Sequence, residues 1–274
     1  MKLQTNQVER PFEKLRKQLN EFPANARPDD VHSLRAQARR LEATIAALLL
    51  NREKKSRRLI KAITPVRKAA GKVRDMDVLI ADVLALSQLH RSEALVRLVE
   101  HLAKIRVKSA RKLRDVVNAQ QGEARKRLKQ SAKLIRKKLE NDSETMSGEA
   151  APQILMTELR HWPELDATNL HLFRIRIKEL RYMLQLVPRA DGKLLDALGG
   201  VKDAIGDWHD FVELLRISRK VLDPGPDGQL LKRIDKIGSE KLQKALTAAN
   251  QLRERYFNET GAGQNERGLL QMAS

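Results

Sequence analysis

The chain has 274 residues and contains 54 Lys and Arg residues against 35 Asp and Glu residues, a formal net charge of +19. This length allows one large domain or two small ones with a buried core. Cysteine is absent, which excludes disulfides and thiolate metal sites and favours a reducing cytoplasm. There is no apolar run long enough to span a bilayer and no apolar signal segment at the start, so we expect no membrane association. A charge so far from zero indicates an anionic partner, and the candidates from charge alone are nucleic acid, an anionic membrane surface and a phosphate polymer.

The sequence predicts an all-α fold, because Leu, Ala, Lys, Arg and Glu are abundant and runs of β-branched residues are few. Asp29 and Asp30 are expected to cap the second helix at its positive end. Pro65 and Gly71 are expected to interrupt the chain after that helix. The predicted helices cover about residues 8–21, 31–58, 74–89, 92–119, 122–140, 153–161, 169–187, 193–220, 227–237 and 239–257.

A linker and a shift in charge divide the chain into two halves. Residues 141–152 are small, polar and without period, which is typical of a linker. Residues 1–145 contain 35 basic and 17 acidic residues, a net charge of +18, whereas residues 146–274 have a net charge of +1. The predicted organisation is a first repeat over about 8–140, a second repeat over about 153–257 and a flexible tail over 258–274.

One cationic pattern occurs in both halves. The motif H-x-x-R-x-x-x-[RK]-x-L starts at His32 and again at His171. Positions 0, 3 and 7 of a helix lie within an arc of about 60°, so each motif predicts a basic stripe on one helix face. The copies differ where Glu42 stands opposite Arg181. An apolar stripe accompanies each copy in the same register: Val31, Leu34, Ala38, Leu41 and Ile45 in the first, and Leu170, Phe173, Ile177, Leu180 and Leu184 in the second.

A second element, [RK]-x3-G-x2-[RH]-D, follows each basic stripe. It covers residues 67–75 and again residues 202–210. The central glycines, Gly71 and Gly206, are expected at corners where the backbone turns tightly or approaches a ligand. The final carboxylates, Asp75 and Asp210, are expected to orient a neighbouring Arg or His by a salt bridge, in preference to catalysis.

The remaining histidines and the metal motifs give little support for a catalytic centre. His90, His101 and His161 have no accompanying pattern and are expected at the surface or at helix caps. The sequence contains no H-x3-H or H-E-x-x-H motif, so we expect no metal site and no cofactor. The planar fork of an arginine, in contrast, matches phosphate oxygens with two parallel hydrogen bonds.

The paired motifs, together with L-R-Y at 180–182 and R-D-M-D at 74–77, resemble the CHAD domain over about residues 8–257. The resemblance implies two four-helix bundles related by a pseudo-twofold axis, with a basic channel or groove between them. It also implies binding of inorganic polyphosphate, often at polyphosphate granules. Glu42 and the Trp208-His209 pair depart from the family pattern, and the nearly neutral second half puts a symmetric site in doubt. Carried over by position, the polyphosphate-binding residues are His32, Arg35, Arg39, Arg40, Arg67, Arg74, His171, Arg174, Lys178, Arg181, Lys202 and His209.

Two other functions compete with a non-enzymatic polyphosphate-binding or scaffold protein. A nucleic-acid-binding protein is disfavoured because only 3% of the residues are aromatic, which leaves few platforms for base stacking. Weak, non-specific binding to a nucleic-acid backbone stays open, because an array of cations attracts any such backbone. A metal-dependent phosphohydrolase would use His32, Asp75, His171 and Asp210, but the sequence lacks a paired acidic cluster to hold Mg²⁺. Oligomeric state is left open by the sequence.

Overall fold

The computed structural model describes residues 5–47, 53–89, 92–141, 150–186 and 190–257. These residues form α-helices and turns without a β-strand, which confirms the all-α prediction. The helices are α1 (Thr5–Asn20), α2 (Pro28–Ala47), α3 (Lys54–Leu89), α4 (Glu93–Asn141), α5 (Ala150–Arg160), α6 (Leu170–Leu184), α7 (Gly192–Val221) and α8 (Gly228–Tyr256).

Helices α3, α4 and α8 run continuously through positions where the sequence predicted an interruption or a gap between helices. Helix α3 runs through both Pro65 and Gly71, so the prediction of an interruption there was wrong. Helix α4 is one helix of 49 residues that includes Gly122, and α8 is one helix of 29 residues that includes Gly238. A helical glycine costs about 1 kcal/mol and a helical proline about 3 kcal/mol relative to alanine. Packing of a long amphipathic face offsets such local costs.

The helix start at α2 follows the sequence prediction closely. Pro28 is its first residue, where its missing N–H and fixed φ are tolerated. Asp29 and Asp30 lie in the first turn, and the Asp30 carboxylate accepts a hydrogen bond of 2.9 Å from the backbone N–H of Arg27. The acidic pair therefore stabilises the positive end of the helix that carries the first basic stripe.

The described residues divide into two compact units. The α1–α4 unit contains residues 5–141 together with residues 213–234. The α5–α8 unit contains the described residues of 150–212 and 235–257. Helices α7 and α8 therefore each supply residues to both units. The predicted repeat boundaries and the predicted pseudo-twofold arrangement of two bundles remain predictions.

The core of the α1–α4 unit forms where α1 packs on α2 and α4, and α3 packs on α2 and α4. Every residue of the first predicted apolar stripe is buried, as expected for the inward face of α2. Phe12 of α1 and Ile63 of α3 are among its largest fully buried side chains. Full burial of such a side chain stabilises the fold by about 1.5–3 kcal/mol.

The α5–α8 unit has its own core, built from one face each of α5, α6, α7 and α8. Leu170, Phe173, Ile177 and Leu180 of the second apolar stripe are buried, which confirms the shared register of the two stripes. Trp162 packs edge-on against Phe173 with ring centroids 5.6 Å apart. The stripe residues that face this core also fix which face of α6 presents its cations.

Some predicted features lie outside the described residues. These are His90, the tail over 258–274 and residues 142–149 of the predicted linker. Helix α5 begins at Ala150, so residues 150–152 are helical. Within the described residues, no helix combines the length and the apolar character that crossing a membrane requires.

Candidate functional site

The first cationic set comprises the predicted ligand residues of the α1–α4 unit. Because the apolar stripe of α2 faces the core, these side chains border the core, with His32 and Arg40 exposed and the other four half-buried. Helix α2 packs against α3, which brings the two motifs of this half onto neighbouring helices. The set consists of His32, Arg35, Arg39 and Arg40 on α2, and Arg67 and Arg74 on α3.

Carboxylates hold two members of the first cationic set. Arg67 donates from Nε to Glu42 Oε1 over 2.7 Å, and both side chains are about three-quarters buried or more. Arg35 Nη2 lies 3.8 Å from Asp75 Oδ1, and Asp75 is more than half exposed. Glu42, the residue that departs from the family pattern, is therefore the counterion of a predicted ligand. Both carboxylates orient a cation at the expense of local positive charge.

The second cationic set comprises the predicted ligand residues of the α5–α8 unit: His171, Arg174, Lys178 and Arg181 on α6, and Lys202 and His209 on α7. All six are half-buried. The rings of His171 and His209 lie against each other with centroids 4.5 Å apart and planes inclined by 35°. Lys202 pairs with Asp203 over 2.5 Å. The structure thus brings the two second-half histidines, 38 positions apart in sequence, into direct contact.

Two arginines of the second set cross α7 at glycines. Arg174 donates from Nε to the backbone carbonyl of Lys202 over 3.0 Å, and a Cβ on Gly206 would lie only 2.5 Å from Arg174 Nη2. A helical side chain covers the turn that precedes its own Cα. Since Gly206 has no side chain, the carbonyl four residues earlier is open to the guanidinium.

Arg181 makes the same kind of contact. It lies seven residues after Arg174 on α6 and crosses α7 at Gly199, seven residues before Gly206. Its Nε donates to the carbonyl of Leu195 over 3.3 Å, and a Cβ on Gly199 would lie 3.5 Å from that Nε. Leu195 again precedes the glycine by four residues. In both contacts a backbone carbonyl holds the arginine without adding a negative charge.

The glycines of the second motif do not occupy corners, so that prediction was wrong. Gly71 lies inside α3 and Gly206 lies inside α7. Gly71 is nevertheless crossed by the equivalent arginine, since a Cβ there would lie 3.6 Å from Arg35 Nε. The close approach predicted for these glycines is made to an arginine of the same repeat. Sequence reasoning missed Gly199, although its spacing of seven residues from Gly206 matches the spacing of Arg174 and Arg181.

Other charged residues of these helices brace the fold. Arg176 of α6, outside the predicted set, donates to Glu158 of α5 and to Glu179, each over 2.8 Å. The hydrogen bond that Arg176 donates to Glu179, with a smaller contribution from Glu158, raises the pKa of Arg176. His161, just after the end of α5, places Nδ1 2.9 Å from the carbonyl oxygen of Thr157 in the last turn of that helix.

Two aspartates before helices have lowered pKa values. The pKa of Asp166 is lowered by hydrogen bonds from the side chain and backbone of Thr168 and from the backbone of Asn169, just before α6. The pKa of Asp227 is lowered by the backbone N–H of Asp223 and by Arg97, which contacts both of its oxygens at 2.8 Å. Asp166 belongs to the α5–α8 unit and Asp227 to the α1–α4 unit, so each unit has one such carboxylate.

The acidic residues give no metal-binding arrangement in the part of the chain that the structure describes. Within it, no group of three or more His, Asp or Glu side chains is placed to hold a metal ion. The carboxylates beside the predicted ligands, Glu42, Asp75 and Asp203, instead pair with Arg or Lys. Their observed contacts are those of counterions.

Residues 6–219 match the profile of the CHAD domain family, and the chain therefore belongs to that family. The fold is similar to the crystal structure of the CHAD domain from the plant Ricinus communis, with a TM-score of 0.68 at 17% sequence identity. The similarity covers 91% of this chain and 90% of the plant chain. No protein of curated function matches the sequence.

Proposed function

We propose that this CHAD protein binds inorganic polyphosphate through its first and second cationic sets, without enzymatic activity. Membership of the CHAD family supports the ligand class. The observation that carries the proposal is the anchoring of Arg174 and Arg181 on backbone carbonyls beside Gly206 and Gly199. An ordered arginine loses rotamer entropy worth up to about 2 kcal/mol, so the bonds that order these two half-buried arginines favour a role that needs a fixed guanidinium.

Anchoring through Nε suits recognition of phosphate. A guanidinium has five N–H donors in one plane, and each of these bonds is made by the Nε donor. The bond therefore fixes the plane of the fork whose Nη nitrogens match two phosphate oxygens. A fixed fork loses less freedom when the anion binds than a mobile one would.

The described carboxylates support binding in preference to hydrolysis. A hydrolytic site for phosphate esters or anhydrides commonly holds Mg²⁺ through carboxylates and substrate phosphates. Here the Glu42 carboxylate accepts a hydrogen bond from Arg67 and forms an ion pair with it, and Asp75 lies beside Arg35. Carboxylates paired with arginines in this way orient the cations and lower the local positive charge. This arrangement is expected of a protein that binds an anion.

The proposal is tested by comparing ligands across a salt series. Binding of long-chain polyphosphate, duplex DNA and single-stranded RNA would be measured with and without Mg²⁺, and released phosphate would be assayed in parallel. We expect polyphosphate to bind much more tightly than DNA at physiological salt, with a steep salt dependence and no phosphate release. Equal affinity for DNA would contradict the ligand preference, and Mg²⁺-dependent release would contradict the absence of catalysis.

In the cell, we propose a granule-associated or scaffold role in the cytoplasm. A tagged chain should form foci in cells that make polyphosphate and become diffuse in cells that cannot. A variant with Arg35→Ala and Arg39→Ala should stay diffuse in both. Foci that persist without polyphosphate would contradict this role.

A further inference from the structure

A third cationic surface lies in the α1–α4 unit, apart from both cationic sets. It is a groove of about 630 Å³ between α1 and α4. Its cations are Arg16 from α1, and Lys129, Lys133, Arg136 and Lys137 from α4, and all five are exposed. None of these residues belongs to either repeated motif.

The four cations of α4 point to one side of that helix. At 100° per residue, positions 129, 133, 136 and 137 fall within an arc of about 100° and extend over about 12 Å of the helix axis. Arg16 faces them from the other wall of the groove. The helix dipole favours cations only within the last turn of a helix. It therefore does not account for Lys129, three turns before the end of α4, or for Arg16 on another helix.

One of these arginines is anchored. Arg136 donates from Nε and Nη2 to the two oxygens of Glu9, over 2.7 and 2.9 Å. Glu9 is buried, so this bidentate pair ties α4 to α1 beneath the groove and offsets the charge of Arg136. Glu13 is the one acidic residue of the groove lining. Arg16 and the three lysines thus outweigh the groove's own carboxylate.

The floor of the groove decides which kind of anion fits. Phe12 and Leu128 line it but are only 2% and 1% exposed, and Ala132 is half-buried. A single-stranded nucleic acid would find no exposed aromatic ring among the lining residues for base stacking. A chain of phosphates needs only the cations.

We propose that the α1–α4 groove is a further binding site for polyphosphate, separate from the two cationic sets. The inference rests on the proposed function in taking the same class of ligand. It predicts that one protein contacts polyphosphate at more positions than the repeated motifs supply.

The first test is lysine footprinting on the unmodified chain. Lysine acetylation would be followed residue by residue, by mass spectrometry, with and without long-chain polyphosphate. Lys129, Lys133 and Lys137 should become several-fold slower to react. The control lysines are Lys104, Lys108 and Lys112, which are exposed on the same helix with the same spacing and lie outside the groove. The acetylation rates of these control lysines should change by less than about twofold. Such a difference is expected if polyphosphate occupies the groove and is not only attracted by the overall charge of the protein.

The second test compares two triple variants. Lys129→Ala, Lys133→Ala and Lys137→Ala should lower polyphosphate affinity by about tenfold and reduce the salt slope by up to about three. Lys104→Ala, Lys108→Ala and Lys112→Ala removes the same charge and should have a clearly smaller effect. Alanine is a good helix former, so both variants should keep the helical circular dichroism of the parent.

The outcomes separate this inference from the proposed function. If the groove lysines react equally with and without polyphosphate, and the two triple variants bind alike, the groove inference is overturned. Loss of binding on Arg35→Ala with Arg39→Ala would in that case leave the proposed function standing. If the unmodified chain binds no polyphosphate, both are overturned.

Discussion

The first and second cationic sets position their arginines by different means. In the first set carboxylates do so, with Glu42 on Arg67 and Asp75 near Arg35. In the second set, backbone carbonyls beside glycines hold Arg174 and Arg181. A carbonyl orients a guanidinium without adding a negative charge, whereas a carboxylate offsets part of the charge of the cation that it orients.

This difference changes what the net charge of each half means. The first half has a net charge of +18 and the second a net charge of +1. Carboxylates pair with cations in both sets: Glu42 and Asp75 in the first set, and Asp203, beside Lys202, in the second. The net charge of a whole half therefore does not describe the local charge at each set.

The largest expected effect comes from removing each basic stripe in turn. Arg35→Ala with Arg39→Ala should weaken polyphosphate binding by about tenfold to a hundredfold and lower the salt slope by about two. Arg174→Ala with Lys178→Ala should weaken it less, because the first half attracts the polyanion more strongly at long range. Both affinities would be measured across a salt series, with circular dichroism to check helicity. Equal losses would show that local positioning, rather than net charge, sets the affinity.

A smaller effect is expected from adding a side chain at Gly206, where Arg174 of the second cationic set crosses α7. In Gly206→Ala the new Cβ would lie 2.5 Å from Arg174 Nη2, so the Arg174 side chain has to move away from α7. Polyphosphate affinity should then fall by about three- to tenfold. The fold should be kept or stabilised by up to about 1 kcal/mol, since alanine favours a helix. Thermal melting and binding would be measured together.

Two glycines supply controls for that variant. Gly200→Ala adds a Cβ to the same helix with nothing within 4 Å, so it should gain stability and leave binding unchanged. Gly71→Ala meets Arg35 at an ordinary contact distance of 3.6 Å and should weaken binding by less than Gly206→Ala does. A loss for Gly71→Ala as large as that for Gly206→Ala would mean that the two crossings are equivalent after all.

Releasing Arg67 from its counterion should have a modest effect of the opposite sign. Glu42→Gln keeps a hydrogen-bond acceptor for Arg67 Nε but removes the negative charge, so polyphosphate should bind about two- to fivefold more tightly. Because both side chains of this pair are about three-quarters buried or more, the stability cost should exceed the value of about 1 kcal/mol that is typical of an exposed pair. Glu179→Gln is the control, because Glu179 pairs with Arg176, outside both sets. Equal tightening by both variants would indicate a general charge effect.

The smallest difference expected concerns the acid stability of the two units. The lowered pKa of Asp227 means that its carboxylate stabilises the fold above the ordinary pKa of aspartate, about 3.9, and that this contribution is lost as the pH falls through the lowered value. Asp227→Asn should lower the melting temperature at neutral pH and make it less sensitive to acid. Asp166→Asn should do the same to a smaller extent, since Asp166 is exposed and has no arginine partner among its hydrogen bonds. A larger effect for Asp166→Asn would contradict the ranking.

The sequence predicted the faces of helices better than their ends. Both apolar stripes are buried in the register expected, apart from Leu184, which is half-buried at the end of α6, because burial follows the 3.6-residue period directly. The interruption at Pro65 was wrong because a local helix breaker was outweighed by packing along the whole of α3. The crossing of Arg174 over Gly206 joins residues 32 positions apart and depends on how α6 lies on α7, which the motif spacing alone does not determine.

The crossed glycines also bear on how this protein can be engineered. Replacing a helical glycine by alanine is among the first substitutions chosen to raise thermal stability. At Gly200 that choice is harmless, whereas at Gly206 the same choice displaces an arginine of the second cationic set. Selection by melting temperature alone would accumulate the second change as readily as the first. A library screened for stability should therefore keep Gly199 and Gly206 unchanged. Among related proteins, we expect fewer substitutions at these two positions than at the other glycines of α7.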